Sequence, residues 1–296
     1  KCYNRDSPVG FRLVMSGTLY LVATPIGNLE DITLRALRIL REVDLIAAED
    51  TRVTRKLLTR HDIHTPVTSY HEHNRAKKLP SLLSVLETGD VALVSDAGVP
   101  GISDPGAELV IAVAEAGHRV VPVPGPSAVT SALSVSGLPA DRFVGLGFLP
   151  RRRADRLRLL NPLASEMQTV VAFETPHRLR SALEDIHATF GDRRITVCRE
   201  LTKLYEEVFR GTVSDALYHF HEPRGEFTLV IENGKGNGPT TTEPEALRIL
   251  SGLREKGLGA RDAVHEAVEK TGLARRYLYR LWVQTEGQGG ETPHHL

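Results

Sequence analysis

From Thr18 onward, short apolar runs of strand length alternate with longer stretches whose apolar residues recur at helical spacing. TLYLVAT precedes LEDITLRALRILREV, DLIAAE precedes TRVTRKLLTRHD, VALVS precedes DPGAELVIAVAEAG, and RVVPVP precedes PSAVTSALSVSG. This rhythm predicts β-α-β units and a largely parallel sheet covered by helices. Asp31 is placed to cap the first helix, and Asp104 with Pro105 to open a later one. After GLPADRFVGLGFLP the strands come closer together. TVVAFE, a helix from Pro176 to Phe190, RITVCRE, EEVFRGTV and EFTLVIE predict a second, mixed α/β region.

The pattern divides the chain. Residues 1–16 read as an extension, of which 1–14 are vector-derived or poorly ordered and Met15 is a candidate natural start; 17–126 read as a first α/β domain and 127–233 as a second. Within ENGKGNGPTTTEP, residues 234–242 have the composition of a linker. Residues 243–285 carry three helical segments, the last two separated by a turn at Gly272; the spacing suits either a helix-turn-helix or a small bundle, and 286–296 form a tail.

A 41% hydrophobic content over 296 residues indicates a folded globular chain. Lys plus Arg and Asp plus Glu both total 37, so a nucleic-acid partner has to be met by local basic patches. Cys2 and Cys198 make no paired metal spacing, which fits a reducing, cytoplasmic setting. No apolar run approaches the roughly 20 residues that cross a bilayer, so no membrane role is expected.

Neither a GxxxxGK[ST] phosphate loop nor a GxGxxG turn follows the first strand, which disfavours ATP and nicotinamide cofactors. Three other turns follow strands. ATPIGN contains Pro25 and Gly27; SDAGVPG contains Asp96, Gly98, Val99 and Gly101; PGPSAV places Ser127 and Ala128 at a helix start. In open α/β sheets, ligands gather beyond the carboxyl ends of strands, where such turns expose amides, a hydroxyl and a carboxylate. Each turn taken alone is equally well explained by chain reversal or capping.

Together, ATPIGN, SDAGVPG and PGPSAV on this outline resemble the tetrapyrrole-methylase fold of S-adenosylmethionine-dependent methyltransferases. AEDTR, HEHN, FETPHR and RELTK narrow the resemblance to a ribosomal-RNA branch of that family, covering about Thr18 to Glu232. The wider fold's cobalt-corrin members carry Gly-Asp-Pro where this chain has Ser95, Asp96 and Ala97. The resemblance implies an α/β, two-domain fold with a mostly parallel first sheet, a mixed second sheet and a small helical extension. It also implies S-adenosyl-L-methionine in the interdomain cleft, touching Pro25, Gly27, Asp96, Gly98, Val99, Gly101, Ser127, Ala128, Glu174, Gly225 and Phe227. The implied reaction is 2′-O-methylation of a cytidine in 16S rRNA of the small ribosomal subunit, by a homodimer that needs no metal.

Methyl transfer from a sulfonium is an in-line displacement, helped by a base that takes the ribose hydroxyl proton. Glu49, Asp50 and Lys203 are the candidate catalytic groups, with Glu200 beside them in RELTK; solvated ion pairing is the plain alternative for Glu200 and Lys203. His71 and His73 share a face of an extended chain, but no further ligand cluster accompanies them, so hydrogen bonding to substrate outranks a metal site. Candidate RNA contacts are Arg52, His71, His73, Asn74, Arg151, Arg152, Arg153, His177 and Arg178, with Arg55, Lys56 and Arg60 nearby. RRRADRLRLL also reads as a solvated amphipathic helix with Arg152, Arg156 and Leu159 on one stripe. Two other functions remain open on these residues: methylation of a tetrapyrrole or other small molecule, and a non-catalytic RNA-binding assembly factor.

Overall fold

A computed structural model describes residues 17–232, 243–271 and 275–286. The expected extension over 1–16, the 234–242 linker, the turn at Gly272 and the tail beyond residue 286 lie outside the described residues. The chain forms two compact units, one holding both sheets and the other the C-terminal helices.

The first sheet contains β1 (Thr18–Val22), β2 (Leu45–Ala48), β3 (Val67–Ser69), β4 (Val91–Val94) and β5 (Arg119–Val123). Its order is β3-β2-β4-β1-β5, and every pairing is parallel. The VALV run of β4 is buried at all four positions because both sheet faces are covered. The intervening helices are α1 (Leu34–Glu42), α2 (Thr51–Arg60), α3 (Arg75–Leu86) and α4 (Ala107–Glu115).

Two capping expectations are corrected. Asp31 ends a short 3-10 turn, Leu29–Asp31, that is capped by Asn28, and Thr33 caps α1 by accepting a hydrogen bond from the Ala36 amide at 3.1 Å. Two intervening residues suffice for a tight turn before the helix, and this moves the cap downstream of Asp31. Asp104 does not open α4 either, since that helix starts at Ala107 behind Gly106 with no side-chain cap.

The second sheet contains β6 (Phe143–Phe148), β7 (Thr169–Glu174), β8 (Arg194–Arg199), β9 (Glu207–Thr212) and β10 (Phe227–Ile231), in the order β6-β7-β10-β8-β9. Only β6–β7 is parallel. Helix α5 (Ala128–Ser136) covers one face through Ala132 and Leu133, packed with Val171, Cys198 and Val230. The other face is covered by α6 (Arg153–Leu160), α7 (Pro176–Phe190) and α8 (Val213–His219). Strand register sets Phe227 opposite both Glu174 and Arg199, and Arg199 opposite Glu207, so these four residues mark one edge of the sheet.

In the second unit, α9 (Glu243–Glu255), α10 (Ala260–Thr271) and α11 (Arg275–Glu286) share one apolar core that includes Leu250, Val264, Leu278 and Trp282. The Arg254 guanidinium lies 3.9 Å from the centre of the Trp282 ring. No described helix is long and apolar enough to cross a membrane.

Candidate functional site

The three strand-end turns meet. Thr24, just beyond β1, exchanges two backbone hydrogen bonds with Gly98 at 2.9 and 3.0 Å, and its hydroxyl donates to the Ser95 carbonyl at 3.1 Å. Gly98 has φ +84°, and a Cβ built on it would lie 3.6 Å from Ile26 Cγ2 and 3.8 Å from the Pro126 carbonyl oxygen. ATPIGN, SDAGVPG and PGPSAV therefore share one locus at the carboxyl edge of the first sheet. Pro25 is buried there, while Val99, Gly101, Ser127 and Ala128 are half-buried.

Ser127 is the N-cap residue of α5, yet its side chain makes no capping hydrogen bond. The hydroxyl and the first-turn amides thus stay available to a polar ligand, as helix starts commonly do. A cavity of about 310 Å³ opens beside this turn, lined in part by Ile26, Asp31, Gly125, Pro126, Ser131 and Thr202. Asp31 Oδ2 and Thr202 Oγ1 are buried without a hydrogen-bond partner, the state expected of groups that await a ligand or water.

Gly27 has a different reason for being glycine. A Cβ on it would fall 2.5 Å from Lys203 Cγ and 2.9 Å from the Leu201 carbonyl oxygen, so the RELTK loop after β8 packs directly on the first turn. That loop holds Glu200 at φ +49° and Thr202 at φ +66°, both in the left-handed region. Glu200 fixes it by accepting the Glu226 amide at 2.8 Å and the Lys203 ammonium at 2.9 Å; Lys203 also reaches Glu226 at 2.8 Å. Gly225 lies against the Glu200 side chain.

Acids gather at the tips of β2 and β4. The Asp50 amide donates to Asp96 Oδ1 at 3.0 Å, and the Asp96 amide to Glu49 Oε2 at 3.3 Å. Burial raises the Glu49 carboxyl above its ordinary value; the Asp96 amide opposes this and the Asp96 and Asp50 charges add to it. Asp96 is likewise raised, chiefly by burial. Asp104 is pushed up to about 6 by burial and then by the charge of Glu49, against a hydrogen bond from Ser95. Asp50 is the opposite case: it caps α2 and binds the Arg52 guanidinium at 2.6 Å, which holds it well below the carboxylate range. A carboxylate held that tightly is a poor proton acceptor. Lys203 fares no better as a base, because the Glu226 and Glu200 carboxylates outweigh its burial and keep it protonated above the ordinary lysine value.

Three of the second region's candidates serve the fold. Glu174 is 1% exposed, and its Oε1 is taken by the Thr175 amide and Arg178, both at 2.7 Å, while Oε2 is buried without a partner. Arg178 is therefore committed to Glu174 and to the Leu149 carbonyl, 2.8 Å away, which removes it from phosphate binding. The Phe227 ring belongs to the core and packs on Phe220 at 5.5 Å, leaving only its main chain for a ligand.

Among the RNA candidates, Arg151, Arg152 and His177 are exposed, as are Arg55, Lys56 and Arg60 on α2. Arg153 is exposed but bound to Asp185 at 2.8 Å. The solvated stripe on α6 is corrected at Arg156, which is 3% exposed and paired with Asp185 at 2.6 Å: the charge is buried because its partner is. Asn74 spends its amide inside the HEHN turn, on the His71 amide and on Ser69, while His71 and His73 stand edge to face at 6.0 Å and His73 is exposed. Among the described residues no group of three His, Cys, Asp or Glu is placed to hold a metal ion. Sequence reasoning missed Asp104 and Thr202 as site residues; the only signal for them was membership of the same two loops.

Residues 18–217 match the family model for tetrapyrrole (corrin/porphyrin) methylases. Curated relatives named ribosomal RNA small subunit methyltransferase I include one from Synechocystis sp., 49% identical over 92% of this chain and 100% of that protein. Another from Thermotoga maritima is 52% identical over 73% of this chain and 98% of that one. Among solved structures, a uroporphyrin-III-C-methyltransferase from Thermus thermophilus superposes with a TM-score of 0.51 at 24% identity, covering 74% of this chain and 94% of the other. A diphthine synthase superposes at 0.58 and 16% identity, covering 73% and 90%. These two likenesses concern the fold. On the family match and the identity to its curated relatives, the chain belongs to the tetrapyrrole methylase family, in the branch whose members are named ribosomal RNA small subunit methyltransferase I.

Proposed function

We propose that this chain is an S-adenosyl-L-methionine-dependent methyltransferase that modifies the ribose 2′-oxygen of a cytidine in 16S rRNA of the small ribosomal subunit. The observation that carries the donor site is the meeting of three glycine- and proline-bearing turns within van der Waals reach around Gly98. The acceptor class follows the name shared by relatives that align over most of the chain.

The residues present suit the cofactor. The uncapped Ser127 hydroxyl, the first-turn amides of α5 and the Asp96 carboxylate offer partners for its polar ends, and Ile26, Val99 and Ala128 an apolar wall. When bound, the cofactor supplies a methyl group on a positively charged sulfur. Glu49 is the group that takes the 2′-hydroxyl proton, since burial raises its affinity for a proton without a cation to quench it by direct pairing. Asp96 steadies Glu49 through its amide, and Lys203 holds the RELTK loop against Gly27. Exposed Arg52, Arg55, Arg151 and Arg152 attract RNA phosphates. The enzyme works in the cytoplasm as a homodimer.

The test is transfer. With radiolabelled cofactor and small subunits that lack the ribose methyl group, label is expected on one cytidine ribose. Label absent from the RNA, with cofactor binding intact, overturns the acceptor.

A further inference from the structure

A second feature lies at the same edge of the second sheet, on its outer helical layer. An open cleft of about 760 Å³ is lined by Arg180 of α7 and by Leu217, Tyr218, His219 and His221 at the end of α8. Its position follows from register and contacts. His219 hydrogen-bonds to Glu207, the first residue of β9, and the Phe220 ring packs at 5.5 Å on Phe227, the first residue of β10. Both strand ends lie at the edge that carries Glu174 and the RELTK loop, so the cleft lies near the end of the sheet whose RELTK loop packs on the first turn.

The walls are stiff and the chemistry is mixed. Arg180 Nη1 donates to the Leu217 carbonyl at 2.7 Å and the Phe220 carbonyl at 3.3 Å, tying α7 to the last turn of α8. His219 is stacked on Phe209 with ring centres 4.8 Å apart. Tyr218, beside it, is 89% exposed, which leaves its ring open to a stacking partner. Arg180 enters no ion pair among the described residues, and the nearby Glu207 is already bound by Arg199 and His219. An exposed ring next to a guanidinium and imidazoles is a combination that suits an unpaired nucleotide, with the base on the ring and the phosphate on the guanidinium and an imidazole N–H.

We infer that this cleft binds an unpaired nucleotide of the RNA substrate outside the reacting cytidine, its base stacked on Tyr218 and its phosphate held by Arg180 and His221. The inference rests on the RNA methyltransferase reading. It adds a contact that neither the acids at β2 and β4 nor the arginines of α2 and α6 supply.

The experiment pairs crosslinking with kinetics on the full chain. Small-subunit RNA carrying 4-thiouridine is irradiated with the protein, and crosslinked peptides are mapped. A crosslink within residues 217–221 is expected. Tyr218→Ala with His221→Ala is expected to raise KM for small subunits by about tenfold or more while leaving cofactor affinity unchanged, and Tyr218→Phe to restore most of the loss because the ring face remains. Methylation with no crosslink there and an unchanged KM in the double variant overturns the inference. A crosslink without methylation by the wild-type chain leaves this surface standing and overturns the proposed function instead. Absence of both RNA binding and methylation overturns the two together.

Discussion

The two sheet edges that face one another treat most of their acids in opposite ways, with one exception on each: Asp50 at the first is lowered by Arg52, and Glu174 at the second is raised by burial despite Arg178. At the tips of β2 and β4, Glu49, Asp96 and Asp104 are all raised, with burial the leading cause. At the facing edge, burial also opposes the charge of Glu200 and Glu207, but hydrogen bonds from the Glu226 amide and Lys203 in one case, and from His219 and Arg199 in the other, leave both below the ordinary glutamate value. Carboxylates raised by burial without a bound cation hold a proton more readily than ordinary ones, whereas paired ones hold a shape. On the proposed function this divides labour: the first edge does the chemistry, and the second positions it.

The largest expected effect breaks this division at Glu49. Glu49→Gln keeps an acceptor for the Asp96 amide and removes the capacity to take a proton. A fall in kcat of about 100-fold or more is expected, the usual range for loss of a general base, with cofactor affinity unchanged by calorimetry. The wild-type rate should also rise with pH through a value above the ordinary glutamate range, and the variant should lose that limb. A variant retaining more than half the wild-type kcat would move the base elsewhere.

Asp104 sharpens the comparison through stability. Its native value of about 6 exceeds the 3.8 of an unperturbed aspartate, so between these values the native state binds the proton that the unfolded state has released. The stability it contributes is therefore full below about pH 4 and is lost as pH rises through about 6. Asp104→Asn removes this loss and is expected to make the protein about 1 to 2 kcal/mol more stable than wild type at pH 7.5, with a smaller difference at pH 4.5. Glu200 and Glu207 work with the opposite sign: being lowered, they stabilise the fold above the ordinary glutamate value, and that support is lost as acid protonates them. Denaturant unfolding at the two pH values reads both trends, and equal midpoints for wild type and Asp104→Asn at pH 7.5 would mean the cluster is solvated.

What could be read from the sequence is what depends on neighbours along the chain. The β-α rhythm and the turns at Pro25, Gly98 and Pro124 were legible because spacing, glycine and proline act locally. Charges were harder, since their state is set by partners far along the chain. Arg156 belongs to a run of arginines but is buried by Asp185, 29 residues away, and Arg178 looks like a phosphate ligand until Glu174 claims it. Asp104 followed by proline reads as a helix opening; the loop turns it toward Ser95 and Glu49 instead. Gly27 reads as a tight turn after the first strand, and nothing along the chain announces that the RELTK loop, more than 170 residues away, packs on it.

The smallest effect is expected at Lys203, where the second edge is tested on its own terms. Lys203→Met keeps the stem that packs on Gly27 and removes the ammonium that joins Glu200 to Glu226. If this edge only positions the first, the cost is about 1 kcal/mol of stability, as for a partly exposed ion pair, and less than a tenfold loss in kcat, with the Glu49-dependent pH limb in place. Thr202 lies beside Lys203 in the left-handed region and lines the cavity, so loosening of the loop should appear as weaker cofactor binding before it appears as slower chemistry. A loss in kcat as large as that of Glu49→Gln, without loss of cofactor affinity, would place the lysine among the reacting groups and dissolve the division between the two edges.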